Sequence, residues 1–281
     1  MFSSVRIHTV RILRSIPSKV TFGILFALIL YNFIRNVLVN AEILYVSQMT
    51  DPLKLLTLSY VSEQEGSQAG HLLMLLYPIL VVFPVSATWL ADKSSGNVYY
   101  FGIRSGRSNF WFGKLLAVFL STFIIFSLPF FMELLLNTLC FDLSSDGQMG
   151  STFIQGLQYE LKYALPELWS KSRYLYVVVM LILWGGASGV LACFGFACST
   201  FPFMRFRILN FVPVYVFLYS GLLIQSAFRT GIVLNYTVIF RMFYITYTQE
   251  MNNLLYFVLL LALMAVSIII IYTKSKRDQL S

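Results

Sequence analysis

Charged residues are scarce in this 281-residue chain, since Asp, Glu, Lys and Arg make up 11% of it while hydrophobic residues make up 58%. An ordinary soluble domain is about 25% charged, so this composition excludes a fold that is surrounded mainly by water. Only helices and closed barrels satisfy their backbone polar groups within lipid. The long apolar stretches described below therefore predict an all-α integral membrane protein.

Histidine and cysteine are also rare. The two histidines, His8 and His71, offer too few bases or ligands for most acid–base or metal schemes. Cys140, Cys193 and Cys198 show neither a disulfide framework nor a metal-binding spacing, and buried thiols are the better interpretation. We expect no catalytic site and no metal site in this chain.

Six apolar stretches are long enough to cross the hydrocarbon layer, which needs about 20 such residues. We place the spans at about residues 20–39, 71–90, 110–136, 174–196, 208–228 and 254–272. The connections are too short for a globular domain, so residues 1–281 are expected to form a single transmembrane domain. The first stretch lacks a small-residue cleavage site, and we expect it to remain as a span.

Basic residues concentrate at one end of these spans, which predicts that both termini are cytoplasmic. They lie in the N-terminal segment, the second and fourth loops and the tail, as Arg6, Arg11, Arg14, Lys19, Lys93, Arg104, Arg107, Lys114, Arg205, Arg207, Lys274, Lys276 and Arg277. This bias, with attraction to anionic membrane lipid, accounts for the net charge of +8. A nucleic-acid partner would require a basic soluble face, and we expect none. The short exterior loops favour a bacterial cytoplasmic membrane.

The segment before the first span, residues 1–19, has the pattern of a helix lying in the membrane interface. Its apolar face comprises Val5, Ile12, Leu13 and Ile16, with Arg11 and Arg14 opposite. Pro17 is expected to begin the first span. We also expect a surface helix within residues 137–173 and an apolar re-entrant segment at about residues 231–247.

The fourth span carries a stretch of small residues that permits two interpretations. Gly185, Gly189 and Ala192 form a face suited to close helix packing. The sequence Gly186-Ala187-Ser188-Gly189 also resembles the signature of rhomboid intramembrane proteases, whose serine is activated by a later histidine. No histidine follows Ser188, and a serine without a base is a poor nucleophile, so packing is favoured.

Two charged residues, Arg35 and Glu133, lie within spans, where charges are costly and are candidates for function. Both fall near the outer boundary. One hypothesis is that each side chain reaches the outer headgroups; the other is that they form an ion pair lining an outward-facing cavity.

The second loop, from Asp92 to Lys114, is the most informative segment. It resembles the cytoplasmic coupling region of type-2 ATP-binding-cassette (ABC) exporter permeases, in which an acid and a glycine precede a short helix, a serine-arginine turn and an aromatic-x-x-glycine/lysine start to the third span. The matching residues are Asp92, Gly96, Arg107, Phe110, Gly113 and Lys114. The departures are Asp92 in place of a usual glutamate, and Arg104-Ser105-Gly106 in place of a proline-containing turn.

The resemblance implies that residues 91–110 contact a separate ATPase. The implied coupling residues are Asp92, Gly96, Tyr99, Tyr100, Phe101, Arg104 and Arg107. The aromatic residues would fit a groove of the partner, and the arginines would make charged contacts at its rim. The alternative is an ordinary basic connection that only satisfies the orientation rule.

The family resemblance further implies an exporter subunit that works with two ATPase subunits and a second permease, either identical or related. ATP and Mg²⁺ would bind in the ATPase, because this chain has no Gly-x-x-x-x-Gly-Lys-Ser/Thr sequence and is expected to hold no cofactor. The aromatic spans suggest an amphipathic substrate such as a peptide, lipid-like molecule or drug. The alternatives are a motor-free carrier or peptide-immunity factor, and an intramembrane serine protease.

Overall fold

A computed structural model describes residues 2–38, 56–58, 68–96, 106–140, 165–201, 207–228 and 253–280. Within these ranges every regular element is a helix. The α-helices are α1 (Phe2–Arg14), α2 (Ile16–Asn32), α3 (Gln68–Ser94), α4 (Arg107–Cys140), α5 (Pro166–Lys171), α6 (Arg173–Ser199), α7 (Val212–Phe228) and α8 (Asn253–Leu280). A π-helical turn, Phe33–Leu38, continues α2, and a 3₁₀ turn, Arg207–Phe211, precedes α7.

Four helices are long and apolar enough to cross a membrane, namely Ile16–Arg35, Ser108–Leu139, Tyr174–Ser199 and Phe257–Lys276. They match the first, third, fourth and sixth predicted spans, and their length and apolar composition support a helical membrane protein. The second and fifth predicted spans are helical in α3 and α7, but their apolar parts, Leu72–Ser86 and Leu209–Ser220, are shorter. A count of six spans therefore stays a prediction.

Helices α4 and α6 form the centre of the bundle. In the apolar stretches of α4 and α6, 56% and 61% of the residues are buried, against 28% in α2 and 17% in α8. The ring of Tyr77 on α3 lies 4.7 Å from the ring of Trp184 on α6 and 5.7 Å from that of Phe126 on α4. Aromatic side chains thus fill the space between α3, α4 and α6, while α2 and α8 leave most of their surface outside.

The small residues of α6 face α4. A Cβ atom at Gly185 would overlap the Ser127 hydroxyl, and one at Gly189 would lie 2.8 Å from a ring carbon of Phe119. Ala192 is fully buried on the same helix. The absence of side chains at the two glycines lets the helix backbones approach closely, which increases van der Waals contact in a setting where lipid offers no hydrophobic driving force.

The first two helices meet at a sharp boundary that differs from the predicted one. The Ser15 side chain caps α2 by accepting from the Ser18 backbone N–H, and Pro17 lies in the first turn of that helix, where its fixed φ favours helix initiation. The N-terminal helix therefore ends at Arg14, not at residue 19. Ile16, predicted on the apolar face of that helix, belongs to α2 and is 76% exposed.

Other predicted features fall partly outside the described ranges. The re-entrant segment at residues 231–247 lies wholly outside them, as does most of the segment 137–173.

The two adjacent glycines of α6 provide a matched test of packing. We expect Gly185→Ala to lower the melting temperature, because the new methyl overlaps Ser127 and overpacking costs about 1–3 kcal/mol. Gly186→Ala should be neutral or stabilising, since nothing lies within 4 Å and alanine favours helix. The melting temperature of each variant is measured with a thiol-reactive dye, which reports the exposure of the buried Cys193 and Cys198 on unfolding. Equal melting temperatures would contradict the packing.

Candidate functional site

The last turn of α3 carries a carboxylate that binds two cations from other helices. Lys114 of α4 donates from Nζ to Asp92 Oδ2 at 2.6 Å, and Nη1 of Arg11 on α1 lies 2.6 Å from Asp92 Oδ1. The side chains of Asp92 and Lys114 are only 5% and 2% exposed, whereas Arg11 is 39% exposed. One acidic residue therefore joins α1, α3 and α4.

Aromatic rings surround the buried ammonium of Lys114. Its Nζ lies 4.6 Å from the ring centroid of Trp89, 5.7 Å from that of Phe110 and 5.8 Å from that of Phe196. Such cation–π contacts strengthen when water is excluded. Trp89 Nε1 donates to the carbonyl of Ser199 at 3.3 Å, which brings the end of α6 into the same cluster.

His8 completes the cluster from α1. Its ring packs edge-on against Phe110 at 5.3 Å. The pKa of His8 is lowered from 6.5 to about 4, mainly because the ring is buried; the Lys114 and Arg11 charges act in the same direction, and Asp92 partly opposes them. His8 is therefore neutral at pH 7. We call the group His8, Arg11, Trp89, Asp92, Phe110 and Lys114 the Asp92 junction.

Gly113 explains how α1 reaches this position. A Cβ atom there would lie 2.9 Å from the Ser4 Oγ of α1, so only glycine lets the two helices cross this closely. Val5 and Ile12 of α1 are buried in the same interface. The Phe110, Gly113 and Lys114 positions of the loop motif thus all contact α1 or Asp92.

The loop after α3 is bounded by two glycines in left-handed conformation, Gly96 with φ +70° and Gly106 with φ +77°. Glycine adopts this conformation without steric penalty, and Gly96 accordingly ends the helix one turn after Asp92. The predicted coupling residues Tyr99, Tyr100, Phe101 and Arg104 lie outside the described residues. Arg107 begins α4, and nothing about its side chain is described. The Asp92 side chain points into the protein, toward Lys114 and Arg11.

Arg35 and Glu133 take partners other than each other. Glu133 Oε1 accepts from Asn32 Nδ2 at 2.9 Å, from the Thr57 backbone N–H at 2.7 Å and from Thr57 Oγ1 at 2.6 Å. Arg35 donates to the Tyr31 hydroxyl at 2.9 Å on the exposed side. The hypothesised ion pair is therefore not formed in the described part of the chain, because Glu133 is buried against Asn32 and Thr57 while Arg35 bonds to Tyr31 on the exposed surface.

Ser188 is a buried packing residue in this structure. Its Oγ donates to the Trp184 carbonyl at 2.9 Å and lies 3.0 Å from the Tyr77 hydroxyl. Neither a carbonyl nor a neutral phenol activates serine as a nucleophile at neutral pH. Within the described ranges, no group of three or more His, Cys, Asp or Glu residues could hold a metal ion.

Three members of the junction, His8, Arg11 and Trp89, were predicted neither as site residues nor as positions of the loop motif. Arg11 was placed on the polar face of the N-terminal helix, and His8 was considered only as a possible base. The one sequence signal that bears on them is that Arg11 lies one helical turn after His8, which puts both on one side of α1.

Comparisons with protein-family models, with curated proteins and with solved structures found no match.

Removing the carboxylate should expose the cost of a buried cation. We expect Asp92→Asn to destabilise the protein by about 3–5 kcal/mol, because Lys114 would be left buried without an opposite charge. Adding Lys114→Met should recover most of this loss, since methionine suits the surrounding rings. Arg11→Gln should cost about 1 kcal/mol or less, as that arginine is part-exposed. Unfolding in mixed micelles provides the comparison, and equal stability of Asp92→Asn and wild type would refute it.

The neutral His8 predicts a specific pH dependence. Its pKa is lower in the folded protein than in the unfolded chain, so its contribution to stability is complete above pH 6.5 and is lost as the pH falls toward 4. His8→Phe keeps the aromatic contact but cannot be protonated. We expect the melting temperature of wild type to fall relative to that of this variant on acidification from pH 7.5 to 4.5, because only wild type gains a proton at this position on unfolding. A difference that is constant with pH would contradict the assignment.

Proposed function

We propose that this chain is the membrane-spanning permease subunit of an ATP-driven ABC exporter, a multi-pass protein of a bacterial cytoplasmic membrane. The Asp92 junction is the observation that carries the proposal, together with the loop motif to which its members Asp92, Phe110 and Lys114 belong. In this proposal the junction lies on the cytoplasmic side, the loop from Gly96 to Gly106 receives force from an ATPase, and the junction transmits that force to the helices.

The junction is suited to this task because it fixes both ends of the loop. Asp92 lies in the last turn of α3, two residues before its end, and Lys114 lies two turns after the start of α4. Their direct contact prevents the two helices from moving apart independently. A push on the loop would consequently move α3 and α4 together, with α1 and the end of α6 attached to them.

The ATPase supplies the energy in this mechanism, and ATP and Mg²⁺ bind to it. We expect Tyr99, Tyr100 and Phe101 to occupy its groove, with Arg104 and Arg107 at the rim. Asp92 has a different role from the one that the resemblance implied, since it positions the loop from within the protein.

A half-transporter also needs a second permease, identical or related. The largely exposed α2 is consistent with contacts beyond the chain. In the family's mechanism the substrate passes between the first, second and fifth spans of facing subunits. An amphipathic substrate would suit walls made of aromatic and aliphatic side chains.

A motor-free carrier or peptide-immunity factor is the rival function, and it differs in needing no ATPase. An intramembrane protease is less favoured, because the Ser188 hydroxyl is bonded to the Trp184 carbonyl in the bundle interior.

Co-purification from the native membrane tests the proposal. We expect an ABC ATPase to be isolated with the wild-type chain and to hydrolyse ATP. Tyr100→Ala with Arg104→Glu should weaken this association by about 2 kcal/mol or more, roughly 30-fold, as expected for truncation of an aromatic anchor and reversal of a rim charge. Mass spectrometry and an ATPase assay on the purified complex provide the measurement.

A matched control is available on α8, where Lys276 Nζ lies 4.9 Å from the ring centroid of Tyr272. Tyr272→Ala with Lys276→Glu truncates the same aromatic residue type and reverses a positive charge at the same four-residue spacing, but outside the loop. This control should leave the complex intact. Recovery of well-folded protein with no ATPase would favour the motor-free function. Equal losses in both double variants would contradict a specific role for the loop.

A further inference from the structure

A groove of about 1020 Å³ lies between α1, the start of α2 and the last turns of α3. Its α1 side is formed by Arg6, Ile7, Val10, Arg11 and Arg14. Residues 6, 10 and 14 follow one another at four-residue intervals and so share one face of the helix. The groove therefore combines three arginines with the apolar side chains of Ile7 and Val10.

The charge of this groove is strongly positive. None of its lining residues is acidic. Among the described residues, the only arginine with an ion-pair partner is Arg11, which leaves the charges of the exposed Arg6 and Arg14 uncompensated there. Arg11 itself uses Nη1 for Asp92, and a guanidinium has further N–H donors. The groove has the chemistry to bind an anion with several oxygen acceptors.

The apolar surroundings indicate that this anion is attached to a hydrocarbon chain. Ile7 and Val10 are 53% and 39% exposed beside the arginines. Helix α2 also carries exposed apolar side chains near its start, with Ile16 76% and Val20 44% exposed. Pro17, in the first turn of α2, lines the groove, and α2 is one of the four candidate spans, so the groove adjoins the start of a helix that is expected to face lipid.

We infer that the groove is a binding site for an anionic membrane phospholipid. Its phosphate headgroup lies among Arg6, Arg11 and Arg14, where guanidinium groups match phosphate geometry. An acyl chain runs past Val10 on α1 and then along the exposed side of α2 that carries Val20. Basic pockets between helices on the cytoplasmic side of membrane proteins recognise anionic headgroups in this way. The site is independent of any ATPase, because it requires only this chain and its membrane.

Lipid retention by the full-length chain tests this site. The protein is reconstituted in nanodiscs of equal phosphatidylglycerol and phosphatidylcholine, extracted into mild detergent, and its bound lipids are counted by native mass spectrometry. We expect wild type to retain phosphatidylglycerol preferentially. Arg6→Gln with Arg14→Gln should weaken that retention by about fivefold for each arginine, while Arg11 and the Asp92 junction stay intact.

Two control variants separate the site from general charge effects. Lys171→Gln with Lys276→Gln removes the same number of exposed positive charges from α5 and α8, outside the groove lining, and should retain the lipid as wild type does. Arg6→Lys with Arg14→Lys preserves the charge and should retain more lipid than the glutamine variant. The inference is overturned if the glutamine variant binds phosphatidylglycerol like wild type, or if it loses no more than the Lys171/Lys276 control.

Soluble phosphate distinguishes the lipid from a free anion. We expect phosphatidylglycerol to raise the melting temperature of wild type in detergent, and millimolar inorganic phosphate or glycerol phosphate to leave it unchanged. Equal stabilisation by the soluble anions would overturn the assignment to a lipid.

Discussion

A buried lysine ammonium has to stay in contact with an opposite charge. Lys114 imposes this constraint on the end of the bundle where α3 ends and α4 begins. Its only described carboxylate partner is Asp92, and its remaining surroundings are aromatic rings contributed by α3, α4 and α6. The penalty for separating such a pair far exceeds that for an exposed one. The relative positions of these helix ends are consequently fixed, and Arg11 and His8 add α1 to the same unit.

The sequence was sufficient for the elements but not for their contacts. Apolar length alone located the four long helices within a few residues, because lipid requires continuous hydrogen-bonded helix. Pro17 was expected to begin the first span, and it lies in the first turn of α2, but the cap at Ser15 and the end of α1 at Arg14 were not predicted. The Asp92–Lys114 pair joins residues on two helices across a loop, and no periodicity within either helix specifies which face meets which.

Glu133 illustrates the same limit more sharply. Its position within a span was recognised as costly for a charge, yet counting helix rise gave only its depth in the membrane, not the direction in which the side chain points. The predicted depth placed Glu133 level with Arg35. In the structure its side chain points toward Asn32 and Thr57, where three donors bond to one carboxylate oxygen. A charge within a span therefore indicates that partners must exist, while the identity of those partners depends on rotation about the helix axis.

Helix α4 holds a charged contact near each of its ends, Lys114 with Asp92 at one and Glu133 with Asn32 and Thr57 at the other. Between them lie about 28 Å of helix axis, at 1.5 Å per residue. A rod anchored at two such points cannot tilt at one end alone without breaking a buried polar contact there. Each contact is either made or broken, so α4 is expected to occupy a small number of discrete positions. Tilting requires that the contact with Asp92 on α3, or the contact with Asn32 and Thr57, is broken.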